Sequence, residues 1–316
     1  MRQNDFIQLK QQDWQLFKEL LESSEVSNEH DLPKMFRQLT HDLSIAKSRH
    51  YSPALISHLN QLLLLGQQQL YKPHNRILMP LMVFVKQTFP SQLTEFRFYI
   101  LWAHILFYGV ALLMFGITLL DPEFVRNVLP NAQVVKLEEM YDPSDARFEE
   151  ERASDSDFVM FGYYIFNNIS IAFQSFVGGL LLGFGALYVL LFNAMYFGVV
   201  SAHIVNVGYQ ATFFSFVITH GAFELTAIVI SAAAGTVIGF SLLSPKKLSR
   251  INAMKASAIK VFPLIFGSFL MLVIAAFIEA FWSSSHSIPN SVKYAVGGFC
   301  WVWVLVYVFR RAPNEN

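Results

Sequence analysis

Residues 158–245 read FVMFGYYIFNNISIAFQSFVGGLLLGFGALYVLLFNAMYFGVVSAHIVNVGYQATFFSFVITHGAFELTAIVISAAAGTVIGFSLLSP. The single formal charge among these 88 residues is that of Glu224. A water-soluble core does not need such a charge-free stretch, whereas the hydrocarbon interior of a bilayer does. The stretch is also far longer than one crossing requires. It therefore predicts a membrane domain with several helices.

The overall composition agrees with a membrane protein and excludes other classes. Of the 316 residues, 54% are hydrophobic and 15% are charged, and the net charge is zero. Soluble domains usually carry about 25% charged residues. The absence of a basic excess argues against a nucleic-acid-binding protein. The single cysteine, Cys300, excludes an internal disulfide framework and a cysteine-rich metal site.

Residues 1–96 have a different character, with ten basic and nine acidic side chains. Apolar residues recur at helical spacing in three segments, near residues 6–21, 35–46 and 55–71, which predicts three amphipathic helices. The first residues are polar and lack the apolar core of a signal peptide. We expect residues 1–96 to form a cytosolic helical domain that binds a cytosolic partner. Residues 77–89, punctuated by prolines, are expected along the membrane surface.

The remaining residues, 97–312, are assigned to the transmembrane domain. Phe98–Leu120 forms the first span, and Val261–Trp282 and Val292–Phe309 form the last two. Residues 244–260 contain five basic side chains and no acidic one, so the positive-inside rule places them in the cytosol together with the C-terminus.

The loop 121–157 carries a net charge of −7 and few basic residues, which favours the extracytoplasmic side. It is a candidate surface for an envelope partner.

The segment between the loop 121–157 and the basic residues 244–260 must cross the membrane an odd number of times, because its two ends are expected on opposite sides. We read Phe158–Phe176 as an interfacial or partly embedded helix, Val177–Val200 and Gly221–Leu243 as inward crossings, and Ala202–Thr219 as a short or broken return helix. That reading gives six crossings. The alternative has two re-entrant halves and four or five full spans. The predicted fold is an all-α polytopic bundle of five or six membrane segments, preceded by the cytosolic domain.

Glu224 is the first candidate for function, because an ionisable side chain in an apolar span is costly and is a functional-site hypothesis by default. His220 precedes it by four residues and shares its helix face. Thr219-His220-Gly221 suggests a helix start or break, and the positive end of a helix that starts there would favour the ionised Glu224. The cluster would be a proton relay, an ion site or a lipid-headgroup pocket. The alternative is that both residues tie helices together by hydrogen bonds. Polar residues on neighbouring segments that could join them are Asn167, Asn168, Asn193, His203 and Asn206.

Catalytic and metal-binding motifs are weak in this sequence. His220 and Glu224 resemble half of a metalloprotease helix, but no HExxH occurs and the third ligand is missing, so we expect neither a metal nor another cofactor. No nucleophile motif of the GxSxG or SxxK kind is present, and we expect no enzymatic activity. Glu279, three residues before Trp282, is expected to snorkel or pair at the outer interface; the alternative places it in the Glu224 cluster.

Two helices are dense in small residues, with Gly179-x-x-x-Gly183 in one and Gly235-x-x-x-Gly239 in the other. This spacing lets backbones approach closely, either within one chain or across the seam of a homo-oligomer.

Several stretches together resemble the stage II sporulation protein M family of bacterial membrane proteins. They are Asn167-Asn168, the glycine-rich GGLLLGFGALYVLLFNAMYFG, and FVITHGAFELTAIVISAAAGTVIG, with Trp14 and DLSIAK in the N-terminal part. The sequence has Ala194 after Asn193 where the family is expected to have glycine. The resemblance implies a multi-pass protein of the bacterial inner membrane, with both termini in the cytosol. The founding member works with peptidoglycan-degrading partners.

Two functions follow as expectations. The first is a non-enzymatic membrane protein, in contact with lipids, that organises cell-envelope machinery through 1–96 and 121–157. The second is a carrier, channel or flippase that uses the His220/Glu224 site.

Overall fold

The structure is a computed structural model that describes residues 2–22, 32–70, 78–144, 154–245, 247–285 and 287–310. Nearly all of these residues are helical, and the described part of the chain contains no β-strand. The all-α prediction is confirmed.

The chain forms two compact units, Met1–Pro80 and Leu81–Asn316. The first unit has three helices: α1 (Gln3–Glu22), α2 (Leu32–Ser48) and α3 (Pro53–Leu70). They match the three predicted amphipathic helices, although Tyr71 and residues 23–31 of the predicted turn lie outside the described part. The core consists of the apolar side chains that recur at helical spacing, including Phe6, Trp14, Phe17, Leu39, Ala46 and Leu59.

The core of the first unit also contains a carboxylate. Asp42 on α2 is 1% exposed, and its Oδ2 accepts a hydrogen bond of 3.0 Å from the indole Nε1 of Trp14 on α1. Lys10 lies 3.9 Å from the other oxygen of Asp42. The two contacts supply partners for a charge that would otherwise be costly to bury.

The boundary between the two units falls within α4 (Leu78–Val83), which is followed by one π-helical turn and by α5 (Phe89–Glu95). The sequence assigned residues 81–96 to the N-terminal domain, but the structure packs α5 within the second unit. Phe89 lies against Gly267, where a side chain would collide with its ring. Tyr307 donates a hydrogen bond of 2.6 Å to the carbonyl of Val85.

Five helices of the second unit are long and apolar enough to cross a membrane. They are α6 (Arg97–Leu120), α10 (Phe184–Asn206), α11 (Gln210–Leu243), α12 (Arg250–Ile278, extended by a π-helical turn at Glu279–Ser283) and α13 (Asn290–Phe309). The predicted first span and last two spans are confirmed. α11 lies at the centre of the bundle and contacts all four of the others.

Three further helices complete the second unit. Within the loop 121–157, the chain forms the short α7 (Val125–Val128) and then α8 (Asn131–Tyr141). α9 (Ser154–Val177) includes the segment expected at the interface, and it packs against α10, α11 and α12.

The predicted helix boundaries between residues 177 and 221 are wrong. The chain breaks at 178–183 and at 207–209, and no break occurs at Thr219-His220-Gly221. Gly183 and Gly208 adopt φ of +89° and +91°, a left-handed conformation that favours glycine because it lacks a Cβ atom. Ala202–Thr219 is therefore not a separate return helix. His220 and Glu224 lie inside continuous α11, so the helix start predicted next to Glu224 does not exist.

The small-residue stripes pack helices within one chain. A Cβ atom on Gly179 would overlap the backbone of Gly235, and one on Gly239 would overlap Gly183. Such contacts draw the backbones of α10, α11 and the turn before α10 together, as the glycine spacing predicts.

Candidate functional site

Helices α11 and α12 bring three ionisable side chains together inside the bundle. One ligand atom from each of His220, Glu224 and Glu279 lies within 4.8 Å of the other two. We call these three residues the carboxylate–histidine cluster. The sequence placed His220 and Glu224 on one face of a helix, and the packing of α12 on α11 adds Glu279.

The imidazole of His220 has a fixed orientation. Its Nδ1 lies 3.0 Å from the hydroxyl of Ser283, and its ring packs edge-on against Phe216 at 5.2 Å between centroids. The other nitrogen, Nε2, lies 3.9 Å from Oε2 of Glu224. That distance is too long for a hydrogen bond, so the Nε2 atom faces a carboxylate without binding it directly.

Glu279 lies in the cluster, which is the alternative that the sequence analysis gave for it. It is 9% exposed, and its Oε2 has no hydrogen-bond partner among the described residues. Glu279 begins the π-helical turn that ends at Ser283, so one irregular turn supplies both a carboxylate and the hydroxyl that contacts His220. Such turns shift the direction of side chains and are frequent at functional sites.

Asn168 is the asparagine that reaches the cluster. It is 2% exposed on α9, and its amide lies beside the carboxyl group of Glu279. Its Oδ1 accepts a 3.1 Å hydrogen bond from Asn167, while its Nδ2 has no hydrogen-bond partner in the part of the chain that the structure describes. The amide of Asn168 interacts with the Glu279 carboxyl group, although neither Asn168 Nδ2 nor Glu279 Oε2 makes a hydrogen bond within 3.5 Å among the described residues. Asn168 and Glu279 thus lie side by side as weakly bonded buried groups, and such groups are few in native proteins.

Lys293 on α13 is a residue that the sequence reasoning missed. Its side chain is buried, and its Nζ donates a 2.8 Å hydrogen bond to the carbonyl of Ser283. The carbonyl of Lys293 accepts a 3.4 Å hydrogen bond from Thr219. Ser283 therefore contacts both Lys293 and His220. The sequence signal that could have identified Lys293 is its charge, directly after Val292, where the predicted last span begins.

The other three polar residues that the sequence grouped with Glu224 make contacts elsewhere. Asn193 donates to the carbonyl of Val189 on its own helix at 2.8 Å. His203 Nε2 lies 2.8 Å from Oε1 of Glu138 on α8, and Asn206 donates to the carbonyl of Thr118 at 2.8 Å. Asn206 joins α10 to α6, and His203 joins α10 to α8, which lies within the loop 121–157.

Tyr141, the last residue of α8, lies close to the carboxylate–histidine cluster. Its ring packs edge-on against Phe213 at 5.0 Å and lies 6.3 Å from Phe216, which in turn contacts His220. Burial raises the pKa of the phenol above its ordinary value, and the nearby carboxylates of Glu279 and Glu224 raise it further. Tyr141 therefore remains protonated and covers the cluster from the side of α8.

The arrangement corrects the sequence argument against a metal ion. That argument noted a missing third ligand, and Glu279 supplies one from another helix. Two carboxylates and one imidazole in a poorly solvated place are able to hold a proton or a cation, because two neighbouring carboxylates are not easily both ionised without one.

Two models of known protein families match the chain, and one of them covers the membrane helices from α6 to α12. The family model described as stage II sporulation protein M matches residues 98–284, which are 187 of the 316 residues. The chain belongs to the stage II sporulation protein M family. The family resemblance of the sequence is confirmed, and the match includes the whole carboxylate–histidine cluster and Asn168. In this member of the stage II sporulation protein M family, α13 with Lys293 follows the matched region.

A second family model, described as a domain of unknown function (DUF8413), matches residues 4–72, which form most of the first unit. No curated protein matches this stage II sporulation protein M family member, and no solved structure does.

Proposed function

We propose that the membrane unit of this protein is a carrier or channel for a proton or a cation, alone or coupled to a solute. The observation that supports the proposal is the convergence of His220, Glu224 and Glu279 within 4.8 Å of one another, on two neighbouring membrane helices. Ionisable residues in such positions typically mark ion pathways and proton relays.

The charges of the cluster favour binding over a structural tie. Within the described residues, His220 is the sole basic group within 4.0 Å of either cluster carboxylate, and Lys293 is directed to the carbonyl of Ser283. In a buried polar network with a structural role, each polar group normally has its hydrogen-bond partners. Here His220 Nε2 and Glu224 Oε2 are 3.9 Å apart, and Glu279 Oε2 makes no hydrogen bond within 3.5 Å among the described residues. The cluster therefore resembles a binding site more than a set of contacts that holds helices together.

Flux measurements on the purified full-length chain in liposomes test this proposal. We expect uptake of protons or divalent cations, followed with entrapped dyes under an imposed gradient, and we expect Glu224→Gln to abolish it. Glu95→Gln is the matched control, because Glu95 makes its ion pair with Lys260 in an exposed position outside the cluster. An absence of flux in the wild type, or equal flux in Glu224→Gln, would contradict the proposal.

A second candidate function is the organisation of cell-envelope machinery, without enzymatic activity, in the bacterial inner membrane. Two observations favour a binding role. The first unit has a surface cavity of about 370 Å³ bordered by Trp14, Phe17, Lys34 and Asp42. On α8, Val135 and Met140 are exposed although both are apolar. These surfaces would meet a cytosolic and an envelope partner respectively. Residues 145–153, which hold much of the acidic run of this loop, lie outside the described residues.

The proposed orientation places both ends of the chain in the cytosol. Five spans alone would leave the ends on opposite sides. α9, with 24 residues packed on the bundle, would be the sixth crossing and restore an even number. The basic residues of 244–260 support the same orientation.

Crosslinking in cells distinguishes the two functions. An organiser would lose its partners when residues 121–157 or 1–96 are deleted and keep them in Glu224→Gln. A carrier would lose flux in Glu224→Gln with its associations unchanged.

A further inference from the structure

We infer that the carboxylate–histidine cluster binds one divalent transition-metal ion, with His220, Glu224 and Glu279 as its protein ligands. This inference rests on the site of the proposed function and names the ion class that the site would accept. Metal binding is measured separately from flux, so this inference can hold or fail whether or not the protein transports ions.

The donor set selects the class of ion. One imidazole nitrogen with carboxylate oxygens suits zinc, manganese, iron or cobalt, whereas magnesium and calcium prefer oxygen donors alone. Three protein ligands leave a further position open, which is typical of sites that exchange or react and not of closed structural sites.

The distances suit an ion placed between the three side chains. Donors about 2.1 Å from a tetrahedral ion are roughly 3.4 Å apart. His220 Nε2 and Glu224 Oε2 are 3.9 Å apart, and the whole set lies within 4.8 Å. These separations exceed those of hydrogen bonds. An ion bound between the three side chains would therefore draw the donors closer together.

Charge supplies an independent argument. When both are ionised, the two carboxylates carry two negative charges, and among the described residues no lysine or arginine nitrogen lies within 4.0 Å of either one. A divalent ion would neutralise both charges. A proton would neutralise only one.

The surrounding residues resemble the outer shell of a metal site. A histidine that binds a metal usually makes a hydrogen bond with its other nitrogen, and His220 Nδ1 contacts Ser283 at 3.0 Å. Asn168 is 2% exposed, and its amide interacts with the carboxyl group of Glu279, whose Oε2 makes no hydrogen bond within 3.5 Å among the described residues. An ion held by Glu279 would give that oxygen its partner and hold the carboxylate against Asn168.

Metal binding to the full-length chain in detergent tests the inference. The chain is stripped with a chelator, incubated in turn with Zn²⁺, Mn²⁺ and Mg²⁺, and analysed for bound metal by mass spectrometry and for affinity by calorimetry. We expect about one Zn²⁺ or Mn²⁺ per chain in the wild type and in Glu95→Gln, and at least tenfold weaker binding in Glu279→Gln and His220→Gln. Mg²⁺ should not compete.

A conservative variant separates lost ligands from lost folding. Glu279→Asp disturbs packing at the same position but keeps a carboxylate, so it should retain metal when Glu279→Gln does not. Wild-type affinity in Glu279→Gln, equal loss in Glu279→Asp and Glu279→Gln, equal competition by Mg²⁺, or a wild type that binds no metal would each overturn the inference. Metal binding without flux would contradict the proposed carrier alone. Proton flux by a chain that binds no metal would contradict this inference alone.

Discussion

Nε2 of His203 on α10 lies 2.8 Å from Oε1 of Glu138 on α8, and this contact joins the loop 121–157 to the membrane bundle. The hydroxyl of Thr212 on α11 makes a second connection, donating to the carbonyl of Tyr141 at 2.6 Å. α8 is thereby held where Tyr141 covers the carboxylate–histidine cluster. The loop is thus part of the membrane unit as well as a candidate binding surface.

Replacing Glu138 should loosen α8. We expect Glu138→Gln to weaken the contact with His203 by about 1 kcal/mol, because Glu138 is partly exposed. Hydrogen exchange of residues 131–141 should become faster. Glu123→Gln, which removes an exposed carboxylate paired with Arg126 in the same loop, is the control and should leave that exchange unchanged.

Removing the side chain of Tyr141 should open the cluster to solutes. We expect a hydrophobic carbodiimide, which modifies carboxyl groups, to label Glu224 and Glu279 several-fold faster in Tyr141→Ala, since the ring packed on Phe213 and Phe216 is lost. Tyr141→Phe keeps the ring and should label like the wild type. Equal rates in all three proteins, measured by peptide mass spectrometry, would show that Tyr141 does not control access.

Neutralising a cluster carboxylate should not destabilise the metal-free protein. Two adjacent carboxylates repel each other, so Glu224→Gln and Glu279→Gln should unfold at the same or a higher temperature in detergent with a chelator. His220→Ala should lower stability by about 1–3 kcal/mol, because it leaves the buried Ser283 hydroxyl without its partner. Marked destabilisation by both glutamine variants would indicate a structural role for the cluster.

The close contact of Gly179 with Gly235 should tolerate no side chain. A Cβ atom at Gly179 would overlap the backbone of Gly235, so Gly179→Ala should destabilise the membrane unit by at least about 1–3 kcal/mol. Gly162→Ala is a matched control on α9, where a Cβ atom meets nothing within 4 Å. Thermal unfolding of both variants in the same detergent measures the difference.

The buried carboxylate of the first unit should matter for its stability. Asp42→Ala leaves the indole N–H of Trp14 unpaired, and we expect a loss of about 1–3 kcal/mol. Limited proteolysis of the full-length chain should then cut within residues 2–70 faster. Asp13→Ala, at an exposed carboxylate that also contacts Lys10, should change the rate little.

The sequence predicted the helices well where the signal was local. Long apolar runs such as Phe98–Leu120 determine a span by themselves, because the bilayer requires a fixed length of apolar residues. The helix start or break predicted at Gly221 was wrong, because sequence does not fix the backbone conformation of a glycine. A polar residue followed by glycine resembles a helix start, but only the backbone shows that Gly208 adopts a left-handed conformation and that Gly221 does not.

The candidate site was harder to predict because it depends on packing between distant segments. His220 and Glu224 are four residues apart, so helix geometry alone brings them together. Glu279 comes from another helix, and its position near Trp282 resembled an ordinary interface residue. The sequence contains no signal for the π-helical turn at Glu279–Ser283, which changes the direction of the Glu279 side chain. In the sequence, His203 and Asn206 were as plausible members of the cluster as Asn168. The structure shows that they contact α8 and α6 instead.

The length of α11 has a consequence for the membrane in which this protein works. Its 34 residues span about 51 Å at 1.5 Å per residue, whereas the hydrocarbon layer is about 30 Å thick. The excess is accommodated by tilting or by protrusion into water, and a thicker bilayer reduces both. Since α11 carries His220 and Glu224, lipid chain length would set how deep these two side chains lie and how far an ion must travel to reach them.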